Sequence, residues 1–138
     1  MSNTGRYFLT FVALFTPIGS FLADFNNTHI WNPTWTNHAV FHTGQTLSMS
    51  IFLGLATLYY TWRSHPTDPL DSIFTAAVFG SAYWCTQFAA YWYPNSKPGD
   101  PPGDTETFYQ LVPICISLGC VGVGYTLQKR EILRRKVK

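Results

Sequence analysis

Charged residues are scarce in this sequence: they make up 12% of its 138 residues, about half the share found in ordinary soluble domains. The few charges nearly balance, with nine lysines and arginines against seven aspartates and glutamates. This composition disfavours a disordered chain and a nucleic-acid-binding protein, because both depend on dense charge. It also disfavours an ordinary soluble domain, whose surface is covered largely by charged side chains. The length is that of a single domain.

Cysteines and the usual metal or redox motifs are also largely missing. The three cysteines, Cys85, Cys115 and Cys120, all lie in apolar stretches, and the sequence has no CxxC motif. A disulfide framework or a thiol-redox enzyme is therefore disfavoured. The sequence also lacks an HExxH motif and any set of carboxylates at helical intervals, so it carries no strong metal signature. We expect no cofactor.

What the sequence does have is four long stretches without a charged residue. Each approaches or exceeds the about 20 residues that a helix needs to cross a bilayer, and none carries the charged stripe of a soluble helix. The mean hydropathy of +0.02 hides them, because tyrosine and tryptophan score low yet suit membrane interfaces. We predict an all-α polytopic membrane protein, one domain over residues 1–138 with a four-transmembrane-helix bundle. The predicted spans are Tyr7–Ala23, Ala39–Trp62, Ser72–Tyr93 and Thr107–Gln128.

Lysine and arginine are unevenly placed around these spans. With four spans, both termini and the loop of residues 63–71 share one side, which carries eight of the nine basic residues. The positive-inside rule therefore places both termini in the cytoplasm. The basic tail, residues 129–138, would attract anionic lipid, and Arg135 with Lys136 resembles a dilysine-like retrieval signal. We expect a multi-pass protein of the endoplasmic reticulum membrane.

Polar side chains gather in the lumenal half of the predicted spans. On the second span, His38, His42 and Gln45 share one helical face. A polar group inside the hydrocarbon layer costs several kcal/mol unless it is paired or hydrated. We therefore expect these groups to meet around one cavity that opens to the lumenal side; the alternative is simple hydrogen bonding between helices. The other spans contribute Asp24, then Tyr83, Gln87 and Tyr91, and finally Glu106, Tyr109 and Gln110.

The histidines and carboxylates of this cluster suit acid–base chemistry. Imidazole has an ordinary pKa near ~6.5 and burial raises that of a carboxyl group, so both exchange protons near neutral pH. In this hypothesis, protons are handled by Asp24, His38 and His42, with assistance from His29 and Glu106.

Aromatic and amide side chains complete the predicted cavity. Aromatic rings present π faces to a developing cation, and amides orient a substrate by hydrogen bonds. The alternative for any single ring is a contact with lipid. The predicted substrate-binding residues are Asn32, Trp35, Gln45, Tyr83, Trp84, Gln87, Tyr91, Tyr109 and Gln110.

The spacing of His38 and His42 also permits a metal pair on one helix, with His29 as a further ligand. Spacing alone is weak evidence for a metal site. We therefore expect no metal, and keep His29, His38 and His42 as the alternative metal-ligand set.

The run from Asp24 to Thr46, DFNNTHIWNPTWTNHAVFHTGQT, resembles a family of small four-span membrane proteins that is frequent in fungi. Many members are catalogued only as a domain of unknown function, and some lie in natural-product biosynthetic clusters. The layout of the chain also looks like the EXPERA class of sterol isomerases and sterol-binding receptors, which implies an apolar ligand. The first resemblance implies seven signature positions: Asp24, His29, Asn32, Trp35, His38, His42 and Gln45.

These patterns favour a membrane-embedded isomerase or cyclase that acts on a terpenoid, sterol or polyketide-like substrate without a redox cofactor. The alternative is a non-catalytic membrane protein that binds a sterol or lipid or stabilises a partner. A proton-coupled transporter fits less well, because polar groups confined to one half of the bilayer offer no path through it. The expected partners are an apolar small molecule or lipid and the membrane, not nucleic acid, and a homo-oligomer is left open.

Overall fold

The computed structural model describes residues 2–99, 103 and 105–136, and these residues form four α-helices and no β-strand. The predicted all-α class is confirmed over this part of the chain. The helices are α1 (Thr4–Asp24), α2 (Asn37–Trp62), α3 (Pro69–Ala90) and α4 (Leu111–Lys136). Helices α1 and α3 each pack against both α2 and α4, and a smaller contact joins α1 to α3 across the bundle.

The helix boundaries follow local chemistry. The side chain of Thr36 accepts a hydrogen bond from the backbone N–H of Ala39 and caps α2. Asp68 caps α3 through the N–H of Leu70, and Pro69 occupies the first helical position, where a missing N–H costs nothing. The fourth helix begins at Leu111, later than the predicted span at Thr107, and continues through the basic residues to Lys136.

Glycines let α1 approach its two neighbours closely. A Cβ atom on Gly5 would lie 2.5 Å from the carbonyl oxygen of Gly124 on α4. A Cβ atom on Gly54 of α2 would lie equally close to the carbonyl oxygen of Ala13. Pro17 has no N–H to bond that Ala13 oxygen within α1, so the helix surface is open where Gly54 meets it. Small residues at such contacts are typical of helices packed in a membrane.

The side chains are distributed differently from those of a soluble bundle, because apolar residues occupy the outer surface as well as the core. Large apolar residues point outward from every helix, for example Leu22 (78% exposed) and Phe41 (66%). Hydroxyl groups and one amide are buried between the helices, where Ser20 donates a hydrogen bond to Ser50 at 2.8 Å. The buried polar residues are Thr16, Ser20, Ser50, Thr57, Thr61, Ser72, Ser117 and Gln128.

Two helices of the described residues are long and apolar enough to cross a membrane, judged by length and composition: Thr4–Asp24 and Leu111–Arg135. Polar side chains lower the hydropathy of the other two helices, including His38, His42 and Gln45 in α2 and Asp71 and Gln87 in α3. By length and composition, α1 and α4 are thus compatible with a membrane protein.

Candidate functional site

A cavity of about 410 Å³ lies between α1, α2 and α3, at the end of the bundle away from the N-terminus. It brings together four predicted site residues that are distant in the sequence. Asp24 ends α1, Gln45 lies in the first half of α2, and Tyr83 and Gln87 lie in the second half of α3. The lining residues are Asp24, Gln45, Thr46, Met49, Leu53, Tyr83, Thr86, Gln87 and Ala90.

Hydroxyl and amide groups form the polar part of the wall of this cavity. Tyr83 is buried, and its hydroxyl forms a hydrogen bond with Ser20. The negative charge of Asp24 interacts electrostatically with the same hydroxyl. The Oε1 atom of Gln87 is buried and has no hydrogen-bond partner among the described residues. A buried acceptor without a partner costs free energy, so Gln87 is suited to accept a hydrogen bond from a ligand in the cavity.

The Asp24 carboxylate also contacts the loop that follows α1. Its Oδ1 atom lies 3.7 Å from Nε2 of His29. The other ring nitrogen of His29, Nδ1, is 2.7 Å from the hydroxyl of Thr28, and the edge of the imidazole faces the ring of Trp35 at 4.8 Å between centroids. His29 is thereby held at three points, with one nitrogen directed at a residue that lines the cavity.

Two asparagines fold this loop. Asn26 Oδ1 accepts hydrogen bonds from the N–H and the hydroxyl of Thr28, at 2.8 and 2.7 Å. Asn32 Oδ1 does the same for Thr34, while its Nδ2 donates to the Thr28 carbonyl oxygen. The predicted substrate-binding residues Asn32 and Trp35 therefore contact the loop and His29, and they are not among the residues that line the cavity.

His38, His42 and Gln45 form a chain of hydrogen bonds along α2. The Nε2 atoms of His38 and His42 are 3.0 Å apart, and Nδ1 of His42 is 3.2 Å from Oε1 of Gln45. A carbonyl oxygen accepts, so Nδ1 of His42 must carry a hydrogen. Neutral His42 then accepts at Nε2, and His38 donates. Both histidines are exposed and outside the cavity lining, which they reach only through Gln45.

The model of a family of unknown function (DUF6640) matches residues 8–138, which include every residue that lines the cavity. The chain belongs to the DUF6640 family. No curated protein and no solved structure matches it. The DUF6640 match covers both the cavity and the whole of α4.

Several predicted site residues of this DUF6640 chain lie outside the cavity lining. Trp84 is in the core, where its Nε1 donates to the hydroxyl of Thr16 at 3.0 Å. Tyr91 stacks on Phe108 with 4.7 Å between ring centroids.

The residues predicted from the fourth span also lie elsewhere. Glu106 pairs with Lys97, Gln110 donates to the carbonyl oxygen of Pro98, and Tyr109 is 63% exposed. These three residues precede α4, which begins at Leu111, so they do not lie on a helical face directed into the bundle.

Five lining residues were not among the predicted site residues: Thr46, Met49, Leu53, Thr86 and Ala90. Their helical spacing carries a signal. Met49 and Leu53 follow Gln45 at intervals of four residues, and Ala90 follows Tyr83 at an interval of seven. Apolar residues of this kind are hard to distinguish from core residues by sequence, because both occupy inward faces.

The alternative metal-ligand set does not assemble among the described residues. No three histidine, cysteine, aspartate or glutamate side chains in this part of the chain come together in a group able to hold a metal ion. His29 lies beside Asp24, whereas His38 and His42 contact each other.

Proposed function

We propose that this DUF6640 protein is a four-span membrane isomerase or cyclase of the endoplasmic reticulum that moves protons on an apolar substrate. The carrying observation is the cavity itself. It places the Asp24 carboxylate, the buried Tyr83 hydroxyl and the unpaired Gln87 oxygen around one space of about 410 Å³, with Met49 and Leu53 as apolar lining.

The outward face of the bundle supports four spans. Helices α2 and α3 have 26 and 22 residues, which correspond to about 39 and 33 Å at 1.5 Å per residue and exceed the about 30 Å of hydrocarbon. Both direct large apolar side chains outward, including Leu55 (61% exposed) and Phe74 (53%). The basic residues near the termini and the α2–α3 loop favour the cytoplasm for that end, so the cavity would open on the lumenal side.

Acid–base chemistry requires one group that delivers a proton and one that removes a proton. A proton added to one carbon of a double bond leaves a cation, and removal of a proton from a neighbouring carbon restores a double bond in a new position. No electron leaves the substrate, so no redox partner is needed. Asp24 is the central group in this scheme because it borders the cavity and also contacts His29.

Each histidine would act through a lining residue. His29 exchanges its proton with Asp24, whereas His42 donates a hydrogen bond to Oε1 of Gln45 and His38 donates one to His42. The imidazole of His29 connects Asp24 to water, from which a catalytic carboxyl group must recover its proton. This division assigns reaction to the cavity, proton supply to His29 and orientation of the Gln45 amide to His42 and His38.

Binding without reaction is the second candidate function. Met49, Leu53 and Ala90 give the cavity an apolar side, and Gln87 offers an unpaired acceptor. A sterol-like molecule with one hydroxyl would satisfy both features without any proton transfer.

The two candidates differ in whether solvent protons enter the ligand. The test uses microsomes that contain the full-length protein, supplied with the apolar lipid extract of the same cells in deuterated buffer. We expect an apolar metabolite to gain deuterium, detected by mass spectrometry. Asp24→Asn should lower the rate by about 10²-fold, and Asp71→Asn, at the exposed start of α3, should leave it unchanged.

Undiminished incorporation in Asp24→Asn would exclude the proposed mechanism. A metabolite that copurifies with the protein but carries no deuterium would favour the binding function instead.

A further inference from the structure

A second and larger cavity, about 560 Å³ in volume, lies at the opposite end of the bundle. It is formed by the start of α1, the α2–α3 loop and the end of α4. None of its lining residues belongs to the candidate site described above. The lining residues are Arg6, Trp62, Arg63, Ser64, His65, Pro66, Pro69, Gln128, Glu131, Ile132 and Arg135.

Three arginines from three different elements face this cavity: Arg6, Arg63 and Arg135. The other titratable groups in the lining are His65 and one carboxylate, Glu131, whose Oε1 is 3.6 Å from Nε of Arg135. The lining therefore carries more positive than negative charge. Three guanidinium groups around one space are suited to a phosphate, because each offers paired N–H donors.

Two of the arginines are held in place by aromatic rings. The guanidinium carbon of Arg6 lies 5.4 Å from the Trp62 ring centroid, and that of Arg63 lies 4.9 Å from the Tyr60 ring centroid. Arg63 also donates from Nε to the hydroxyl of Ser72 at 2.7 Å. A guanidinium that is already positioned loses less conformational entropy when it binds an anion.

A buried donor and a buried acceptor in this lining are unpaired. Nε of Arg6 and Oε1 of Gln128 have no hydrogen-bond partner among the described residues, and Gln128 is only 1% exposed. A phosphate supplies an acceptor for the first and a hydroxyl supplies a donor for the second. A free anion without a hydroxyl group would pair with the arginines but could not donate a hydrogen bond to Gln128.

We propose that this cavity binds a phosphorylated polyol, with the phosphate between Arg6, Arg63 and Arg135 and a hydroxyl at Gln128 Oε1. The same chemistry occurs in an inositol lipid headgroup and in a soluble inositol phosphate. The cavity lies at the basic end of the bundle, where an anionic leaflet would face it in the proposed topology.

The test measures binding to the full-length protein in detergent by calorimetry, with dioctanoyl phosphatidylinositol, inositol 1-phosphate and dioctanoylglycerol as probes. We expect both phosphate compounds to bind and dioctanoylglycerol not to bind. Tighter binding of the lipid would identify a membrane headgroup as the ligand, and equal binding would identify a soluble phosphate; either result supports the site. Binding of dioctanoylglycerol as tight as that of the two phosphates would overturn it.

Matched arginine variants distinguish binding in the cavity from attraction to the general positive charge of the tail. Arg6→Gln and Arg135→Gln should each weaken the binding of dioctanoyl phosphatidylinositol about tenfold. This is the loss expected when hydrogen bonds to a charged group are removed. Arg134→Gln removes the same charge next to Arg135 but lines a different cavity, and should cost at most about twofold. Equal losses in Arg134→Gln and Arg135→Gln would show diffuse attraction and contradict the proposal. Because Arg135 is exposed, this comparison does not depend on a buried substitution.

A variant of Gln128 tests whether a hydroxyl of the ligand donates a hydrogen bond to Oε1 of this residue. Gln128→Met keeps the size of the side chain but removes Oε1. It should weaken the binding of dioctanoyl phosphatidylinositol several-fold. The binding of dioctanoyl phosphatidic acid, which has no inositol hydroxyls, should be unchanged. Equal losses for both lipids would refute a hydrogen bond from inositol to Gln128.

Discussion

At the scale of single residues, Asp24 interacts with several parts of the structure. It ends α1 and borders the cavity, it contacts His29 in the following loop, and its charge interacts with the hydroxyl of Tyr83 in α3. Its position at the end of a helix lets it reach both water and the buried space. The histidines lie one contact further out, so their variants should lower the rate less than a variant of Asp24 does.

The chain of hydrogen bonds along α2 predicts that His38 and His42 act in series. His42→Ala should lower deuterium incorporation by less than the about 10²-fold expected for Asp24→Asn, and His38→Ala should lower it less again, because His38 contacts Gln45 only through His42. The double variant should match His42→Ala. Rates measured in the same microsomal assay check this, and fully additive losses would show that the two histidines act independently.

The buried hydrogen bond from Trp84 to Thr16 predicts a stabilising function for Trp84. Trp84→Phe keeps an aromatic ring but removes the donor and part of the buried volume, and should lower the free energy of unfolding by about 1–3 kcal/mol. Thermal unfolding in detergent measures the change. Trp92→Phe is the matched control, because Trp92 is 72% exposed and its substitution should change little. An equal effect in both variants would indicate that loss of the indole, not loss of the bond, is responsible.

At the scale of helices, the sequence predicted which segments are helical better than where they end. The all-α class and the four helices follow from long uncharged stretches, a property that each segment carries by itself. The start of α4 did not follow, because residues 107–110 are uncharged but form turns, with the N–H of Leu111 bonded to the carbonyl oxygen of Phe108. Lack of charge shows that a segment tolerates burial, not that its backbone is helical.

The same reasoning explains which parts of the candidate site could be anticipated. Asp24, Gln45, Tyr83 and Gln87 lie on regular helices, where spacing fixes the direction of a side chain. Glu106, Tyr109 and Gln110 lie before a helix, where residue spacing does not determine the direction of a side chain. The apolar lining residues give no polar signal that separates them from the core.

The close approach of α1 to α4 predicts strong position dependence among glycine variants. Gly5→Ala places a Cβ atom 2.5 Å from a backbone oxygen of α4, so it should destabilise the protein by about 1–3 kcal/mol. Gly119→Ala should be neutral or slightly stabilising, because the new Cβ would have no described atom within 4 Å apart from adjacent residues and the backbone of its own helix. Thermal unfolding of both variants in one detergent tests this, and a neutral Gly5→Ala would contradict the described packing.

At the scale of the whole molecule, the buried hydroxyl groups and the exposed apolar side chains give the bundle a surface that suits lipid. The two cavities lie at opposite ends of this bundle and involve different residues. The proposed topology therefore assigns the acid–base cavity to the lumenal side and the arginine-lined cavity to the cytoplasmic side.

This topology predicts different accessibility for two loops in sealed microsomes. Thr67→Cys, in the α2–α3 loop, should react with a membrane-impermeant maleimide, whereas Asn27→Cys, after α1, should react only when detergent is added. Both positions are exposed, so burial does not separate them. A variant that lacks Cys85, Cys115 and Cys120 provides the background. Equal labelling of both positions without detergent would contradict the four-span arrangement.

The contact between the two imidazoles of α2 gives this row of side chains one direction. Nε2 of His38 donates to Nε2 of His42 at 3.0 Å, and Nδ1 of His42 donates to Oε1 of Gln45 at 3.2 Å. Each hydrogen therefore points toward Gln45, which lines the cavity. The orientation of the Gln45 amide is thus tied to an exposed residue seven positions earlier in the sequence.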